Sequence, residues 1–387
     1  MNARPPASIQ TKGRSLTNLV MRLRSRLVSG YYPQGGFLPP TRELAGELDV
    51  SAETVRRSLK ILEKDGLLVG EPRAGFRIMT EKDARRLKPI AFVSQDMGED
   101  PEKVRPVGLA LALAIQREAA ALGGSIQGIN SRELRRTGVS GQLARGGFWG
   151  VVLDTQDDGL LAELLEADFP VVMVNSWFED ANVDVVIQDN YRGGFLAARH
   201  LLERGRRRLA WLGALGAHPH ARERFAGASA ALGAQGVHVA GEHREEIAVP
   251  EGDTAAAATA SVEAARRLLS GAARPDGILA FGPAGPGAIK AAADELGLVI
   301  SEDFDLVGWM VEECYDLHYR PLFPEGQVPP AVTWNASLMA RRALRVFAER
   351  SEDRNTEPVR VCVPTRLKFA ADGPAEAAGR PADAPAS

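Results

Sequence analysis

A chain of 387 residues with 45% hydrophobic and 25% charged side chains is too long for one small domain and too apolar to stay unfolded, so two or three soluble domains are expected. Its two cysteines, Cys314 and Cys362, have no metal-like spacing, which excludes a disulfide framework and favours a reducing compartment. No stretch reaches membrane-spanning length, and the first residues, MNARPPASIQTKG, lack the apolar core of a signal peptide, so a cytoplasmic protein without membrane contact is expected.

The net charge of −3 hides an asymmetry: residues 14–80 carry 11 Lys+Arg against 7 Asp+Glu, and with Arg4 and Lys12 counted, residues 81–387 are left at −9. The basic segment is the candidate for nucleic acid. After a polar N-terminus (1–13), residues 15–30 predict an amphipathic helix with Leu16, Leu19, Leu23 and Leu27 inward, Arg22 and Arg26 outward, and Gly30 as its stop. Residues 38–64 predict two short helices joined by a tight turn. Leu44 and Leu48 share a face in the first; Val55, Leu59 and Leu62 repeat at helical spacing in the second. That leaves Arg56, Arg57 and Lys60 outward, and Ser51 as N-cap aims the free N–H groups and the positive helix end at whatever lies in front. Residues 66–79 read as two strands around a Pro72–Gly75 turn, a wing carrying Arg73 and Arg77.

These residues, LVSGYYPQGGFLPPTRELAGELDVSAETVRRSLKILEKDGLL with the wing glycine Gly75, resemble the N-terminal winged helix of GntR-family bacterial transcription regulators over about 65 residues. The resemblance implies DNA contacts by the arginine before ELA, the start of the recognition helix and the wing tip: Arg42, Ser51, Thr54, Arg56, Arg73 and Gly75, beside the outward Arg57. The chain departs from the pattern at Ala52, where the family usually has arginine, so one bidentate guanine contact is expected to be missing.

Residues 81–88 read as a charged linker. From 89 the rhythm changes: apolar runs PIAFVSQ, SIQGIN, FWGVVLD, PVVMVNS, DVVIQD, RLAWLG, EEIAVP, GILAFG and FDLVGW alternate with helical segments at 107–121, 157–167, 191–204, 221–235, 254–270 and 285–297. Such alternation predicts right-handed βαβ units, and its length predicts two lobes with a ligand cleft beyond the carboxyl ends of the strands. The fold class expected is α/β, a small winged helix–turn–helix domain (14–80) followed by a two-lobed parallel-sheet domain (89–371) and an Ala/Pro-rich disordered tail (372–387).

Within 184–236, Asp189-Asn190, Gly193-Gly194, HLLERG and ARERFAG resemble the effector region of LacI-family repressors, whose fold is that of periplasmic binding proteins. The combination with a GntR-type head is similar to the arabinose repressors of Gram-positive bacteria. It implies a regulator, in the first instance a repressor, that binds double-stranded operator DNA as a homodimer and responds to a small effector. By position Arg224 and Asn175 match residues that reach the effector, whereas the acidic or amide positions of relatives fall on Phe281, Gly282 and Met310. Trp177, Phe178, Phe281 and Trp309 sit at strand ends, either as a stacking platform for a ligand or as ordinary core. The effector residues expected are therefore Arg224, Asn175, Trp177, Phe281 and Trp309. A cleft that has lost carboxylates while keeping an arginine suits a sugar-derived anion better than a neutral hexose. The alternative is a sensor domain that has lost its ligand and serves dimerisation or partner contact.

Asp189 and Asn190 read as caps of the helix at 191, GPAGPG (282–287) as a tight turn, and the His218/His220 pair as a polar loop. No nucleophile triad, metal cluster or cofactor fingerprint stands out, so no catalytic residue, metal or cofactor is expected.

Overall fold

The computed structural model describes residues 16–371 except 17–18, 25, 28–30, 34, 65–66, 80–88, 99–104, 123, 217–218, 248–253, 272, 282–283 and 353–356. The N-terminal stretch, the Gly30 stop, the linker 81–88, His218, Gly282 and the tail from Asp372 therefore lie outside the described residues. The remainder divides at Pro89/Ile90 into two compact units.

The first unit is the winged helix. Residues 19–24 and 26–27 are helical, and the hairpin follows as Thr41–Leu48 and Ala52–Lys64. The apolar spacing explains the packing: Leu19, Leu23, Leu27, Leu44, Leu48, Val55, Leu59 and Leu62 close one core with Leu68 and Ile78 of the wing. The tight turn holds Asp49 in the left-handed region (φ 52), where it ends the first helix by donating its N–H to the Ala45 carbonyl. Strands β1 (Leu68–Glu71) and β2 (Gly75–Ile78) pair antiparallel, and Phe37 bridges Arg77 as a short third strand. Arg26 is not simply outward: its Nη1 reaches Glu47 Oε1 at 2.5 Å and its guanidinium covers Tyr31, tying the leading helix to the first helix of the hairpin.

The second unit holds two six-stranded sheets. The first lobe is built from β3 (Ile90–Ser94), β4 (Ile126–Asn130), β5 (Val151–Asp154), β6 (Val171–Val174), β7 (Asp184–Gln188) and β13 (Arg360–Val363), in the order β13-β7-β6-β5-β3-β4, all parallel. The second is built from β8 (Leu209–Gly213), β9 (Arg244–Glu246), β10 (Gly277–Ala280), β11 (Asp305–Val311), β12 (Ala331–Trp334) and β14 (Arg366–Lys368), in the order β14-β12-β11-β10-β8-β9, with β14 antiparallel at its edge. Central runs such as VVLD, VVMV and LAWLG are buried along their whole length because helices cover both faces of each sheet.

The chain passes between lobes three times, at Gln188–Asn190, Trp334–Ala336 and Val363–Arg366. Two of these crossings hold each other: Asp189 N–H donates to the Val363 carbonyl at 2.8 Å, and Thr365 Oγ1 donates to the Asp189 carbonyl at 3.1 Å. Helices Asn190–Glu203 and Pro219–Gly233 lie backbone to backbone in the second lobe. A Cβ on Gly194 would stand 1.9 Å from the Arg224 carbonyl oxygen, and one on Gly227 would stand 1.9 Å from that of Tyr191.

Candidate functional site

On the winged helix the recognition helix begins as its sequence dictates. Ser51 Oγ accepts from Thr54 N–H at 3.2 Å and lies 2.8 Å from Thr54 Oγ1, so the cap satisfies one of the first free N–H groups. Arg42, Arg56 and Arg57 are exposed, and Ala52 occupies the first helical turn. Arg56 Nη1 is held 2.6 Å from Glu53 Oε2 one turn earlier, an exposed pair worth little by itself that keeps the guanidinium against the helix. The wing tip turns through Arg73 (φ 68) and Gly75 (φ 104), both in the left-handed region, with the Arg73 side chain exposed. Glu63 Oε1 accepts from Gly70 N–H at 3.0 Å, fixing wing to recognition helix.

In the second unit a chain of buried polar groups runs from the first lobe to the second at the carboxyl ends of the strands. Asn175, in the left-handed region (φ 60) just after β6, donates from Nδ2 to Asp154 Oδ1 at 3.2 Å. Its Oδ1 accepts from Gln188 Nε2 at 2.5 Å. Beyond Gln188 the chain crosses to the second lobe, where Asn190 Nδ2 donates back to the Gln188 carbonyl at 3.1 Å and Asn190 Oδ1 accepts from Arg224 Nε at 2.8 Å. The Arg224 guanidinium carbon stands over the Trp309 ring, 3.8 Å from its centroid, and Trp309 meets Phe281 edge-on at 5.4 Å.

The sequence-predicted residues thus fall into three positions. Arg224, Trp309 and Phe281 touch in sequence, with Phe281 itself buried in the core against Trp211. Asn175 joins the same chain from the first lobe through Gln188. Trp177 is buried, covered by the Arg360 guanidinium at 4.6 Å, and lines a separate cavity of about 560 Å³ at the mouth between the lobes. Phe178, Asp158, Glu179, Asp180 and Arg222 share that cavity, where Arg222 bridges to Glu179 at 3.0 Å. Asp189 caps its helix as expected by accepting from Arg192 N–H, whereas Asn190 does not act as a cap and instead grips Arg224. Asp154 and Gln188 were not picked out from sequence, where only their positions at the ends of apolar runs mark them, and Asn190 was read only as a cap.

Electrostatically the two ends of this chain differ. Burial pushes the Asp154 carboxyl up to about 6, against the opposing effects of Arg105 and the Asn175 hydrogen bond. Burial likewise pushes the Arg224 guanidinium down to about 9, with Glu223 the charge that opposes it. Asp154 supplies the first pH prediction. Its folded pKa lies above the unfolded value of 3.8, so the stability it contributes is complete below that value and is lost as pH rises through about 6. Asp154→Asn should therefore melt higher than wild type at pH 8, by an amount on the order of 2–3 kcal/mol at most, should keep only part of that advantage at pH 5, and should lose it below the unfolded value of 3.8. Calorimetric melting at both pH values checks this, and a pH-independent difference would refute it.

Among the described residues no three metal-ligating side chains converge, and no helix is long and apolar enough to cross a membrane.

Two family models match. Residues 17–78 match bacterial regulatory proteins of the gntR family, and residues 198–369 match the periplasmic binding protein-like domain. The chain joins a GntR-type helix–turn–helix domain to a periplasmic-binding-protein-like domain. Similar curated proteins include the arabinose metabolism transcriptional repressor of Geobacillus stearothermophilus, 24% identical over 210 residues, which are 50% of this chain and 54% of that one. The HTH-type transcriptional repressor PurR of Photobacterium profundum is 25% identical over 212 residues, 54% of this chain and 58% of that one. The chain thus spans little more than half the length of these curated relatives. Among solved structures, a transcriptional regulator CelR–cellobiose complex superposes with TM-score 0.61 at 23% identity, covering 89% of this chain and 93% of that one. The transcription regulator CcpA of Lactococcus lactis superposes with TM-score 0.60 at 14% identity, over 73% and 98% of the two chains. These likenesses establish the fold of the second unit, a pair of parallel-sheet lobes.

Proposed function

We propose that the chain is a sequence-specific DNA-binding transcription regulator, in the first instance a repressor, whose GntR-type head is controlled by a small molecule bound between the lobes of its periplasmic-binding-protein-like domain. The observation that carries this reading is the buried polar chain from Asp154 to Arg224. Burying a carboxylate and a guanidinium costs several kcal/mol each without direct ionic partners, and a sensor kept only for dimerisation would fill the same seam with apolar side chains. Named relatives in both comparisons are regulators, which supports regulation over catalysis.

The head binds DNA through Arg42, Ser51, Thr54, Arg56, Arg57, Arg73 and Gly75, and it does so as a homodimer on a palindrome. Exposed apolar side chains support the dimer: Leu109 and Leu113, one turn apart on Pro106–Ala121, are 49% and 57% exposed, a surface suited to a second copy of the chain.

Selection of binding sites from random duplexes by the full chain tests the reading, with a two-fold symmetric motif expected and failure to enrich any motif overturning it. Ala52 sharpens the test, because its methyl group contacts a thymine methyl but cannot donate to guanine. Ala52→Arg should move the selected base at one half-site position from thymine toward guanine; an unchanged motif would show that residue 52 does not face the bases.

A further inference from the structure

Given the effector cleft proposed above, the geometry points to a hydroxylated anion as its ligand, a molecule whose carboxylate or phosphate sits on the Arg224 fork while its hydroxyls reach toward Asp154 and Gln188. Arg224 is 7% exposed, yet among the described residues its side chain makes one hydrogen bond, from Nε to the neutral Asn190 amide, and its guanidinium stands over the face of Trp309. Among the described residues, Nη1 and Nη2 have no acceptor. The nearest carboxylate in its electrostatic surroundings, Glu223, is already paired with Arg360. A buried guanidinium presenting two parallel N–H donors matches a planar carboxylate or a phosphate face bidentately, and an anion there removes the uncompensated charge.

Two further orphans describe the rest of the ligand. Trp309 Nε1, on the ring beneath the guanidinium, is a buried donor without an acceptor, and Gln188 Oε1 is a buried acceptor without a donor. The Asp154 carboxyl, two hydrogen bonds from Gln188, adds acceptor capacity at the far end. The seam is therefore donor-rich at the second lobe and acceptor-rich at the first. An anion at one end with hydroxyl groups at the other satisfies both, whereas a neutral sugar leaves the guanidinium without a charge partner and a bare anion leaves Gln188 Oε1 without a donor. Phe281 and Met310 flank the site with apolar surface and supply no carboxylate that would repel the ligand.

The test uses the full chain and two readouts, melting temperature and titration calorimetry, with gluconate, glucuronate and glucose 6-phosphate set against glucose, cellobiose and inorganic phosphate. A ligand specific to the folded state raises the melting temperature with concentration. At least one hydroxylated anion is expected to do so while its neutral counterpart does not, and Arg224→Gln should weaken that binding by roughly tenfold or more. If Arg224→Gln fails to fold, inorganic phosphate should compete with the sugar anion on the wild-type chain. Stabilisation by a neutral sugar at least as strong as by its anion, binding that survives Arg224→Gln, or no response to any anion of the set would each overturn the assignment. Absence of a selected DNA motif would instead sink the proposed regulatory function and leave the anion result standing.

Discussion

Replacing Gly194 by alanine should destabilise the sensor domain by roughly 3 kcal/mol, at the upper end of ordinary overpacking costs, and abolish its response to any effector. The reason is where the new methyl group must go. Its nearest neighbour, 1.9 Å away, is the Arg224 carbonyl oxygen, a backbone atom in the middle of the adjoining helix that cannot rotate aside as a side-chain tip does. The helices Asn190–Glu203 and Pro219–Gly233 must separate, and the first interaction strained is the 2.8 Å bond between Asn190 and Arg224 that joins them. Gly227→Ala meets the Tyr191 carbonyl at the same 1.9 Å from the opposite side. Because both substitutions widen one gap, the double variant should cost less than the sum of the single ones. Gly233→Ala is the control: nothing stands within 4 Å of its Cβ, at the end of the same helix, so it should be neutral or stabilising by up to about 1 kcal/mol. Chemical denaturation of the four variants measures all of this, and a Gly194→Ala protein as stable as Gly233→Ala would show that the close approach is not real.

Arg56→Ala should weaken binding to the selected operator by about 1–3 kcal/mol, or roughly five- to 150-fold. Two forms of the loss separate its roles. A base-reading Arg56 loses affinity for the operator alone and relaxes one position of the motif, whereas a phosphate-binding Arg56 loses affinity for all duplexes and lowers the salt slope by about one. The Glu53 partner, 2.6 Å away and exposed, makes a second variant informative. Releasing Arg56 and removing an acid that faces phosphate, Glu53→Gln should tighten non-specific binding. Fluorescence anisotropy across a salt series gives both numbers; identical operator affinity for wild type and Arg56→Ala would remove Arg56 from the interface.

The winged helix was legible because its determinants are local. Period-3.6 leucines, the Ser51 cap and the Pro72–Gly75 turn act over a few residues, and the core they predict, Leu44, Leu48, Val55, Leu59 and Leu62, is the core that forms. The same holds for the sensor domain up to residue 310: helices expected at 107–121, 157–167, 191–204, 221–235, 254–270 and 285–297 form within about two residues of those bounds. The expected strand EEIAVP forms as Arg244–Glu246 and ends before Ile247, while residues 248–250 lie outside the described ones. Local pattern failed at Ser131–Thr137 and Val139–Arg145, two helices of seven residues each, too short and too charged for periodicity to emerge. It failed again beyond 330, where β13 leaves the neighbourhood of its sequence to pair with β7 in the other lobe.

The sequence alone determined the class of each part, a basic helical head and an alternating α/β sensor, and it marked Arg224 and Asn175. Only the tertiary structure decided that these two residues belong to one connected seam. Asp154, Asn175, Gln188, Asn190, Arg224 and Trp309 span more than 150 positions of the chain, and what brings them together is three lobe crossings and a pair of glycines that let two helices touch. A residue's own spacing records which face of its helix or strand is buried. Whether a buried arginine finds a carboxylate, an amide or a ligand depends on what distant segments place beside it, and no local period carries that information.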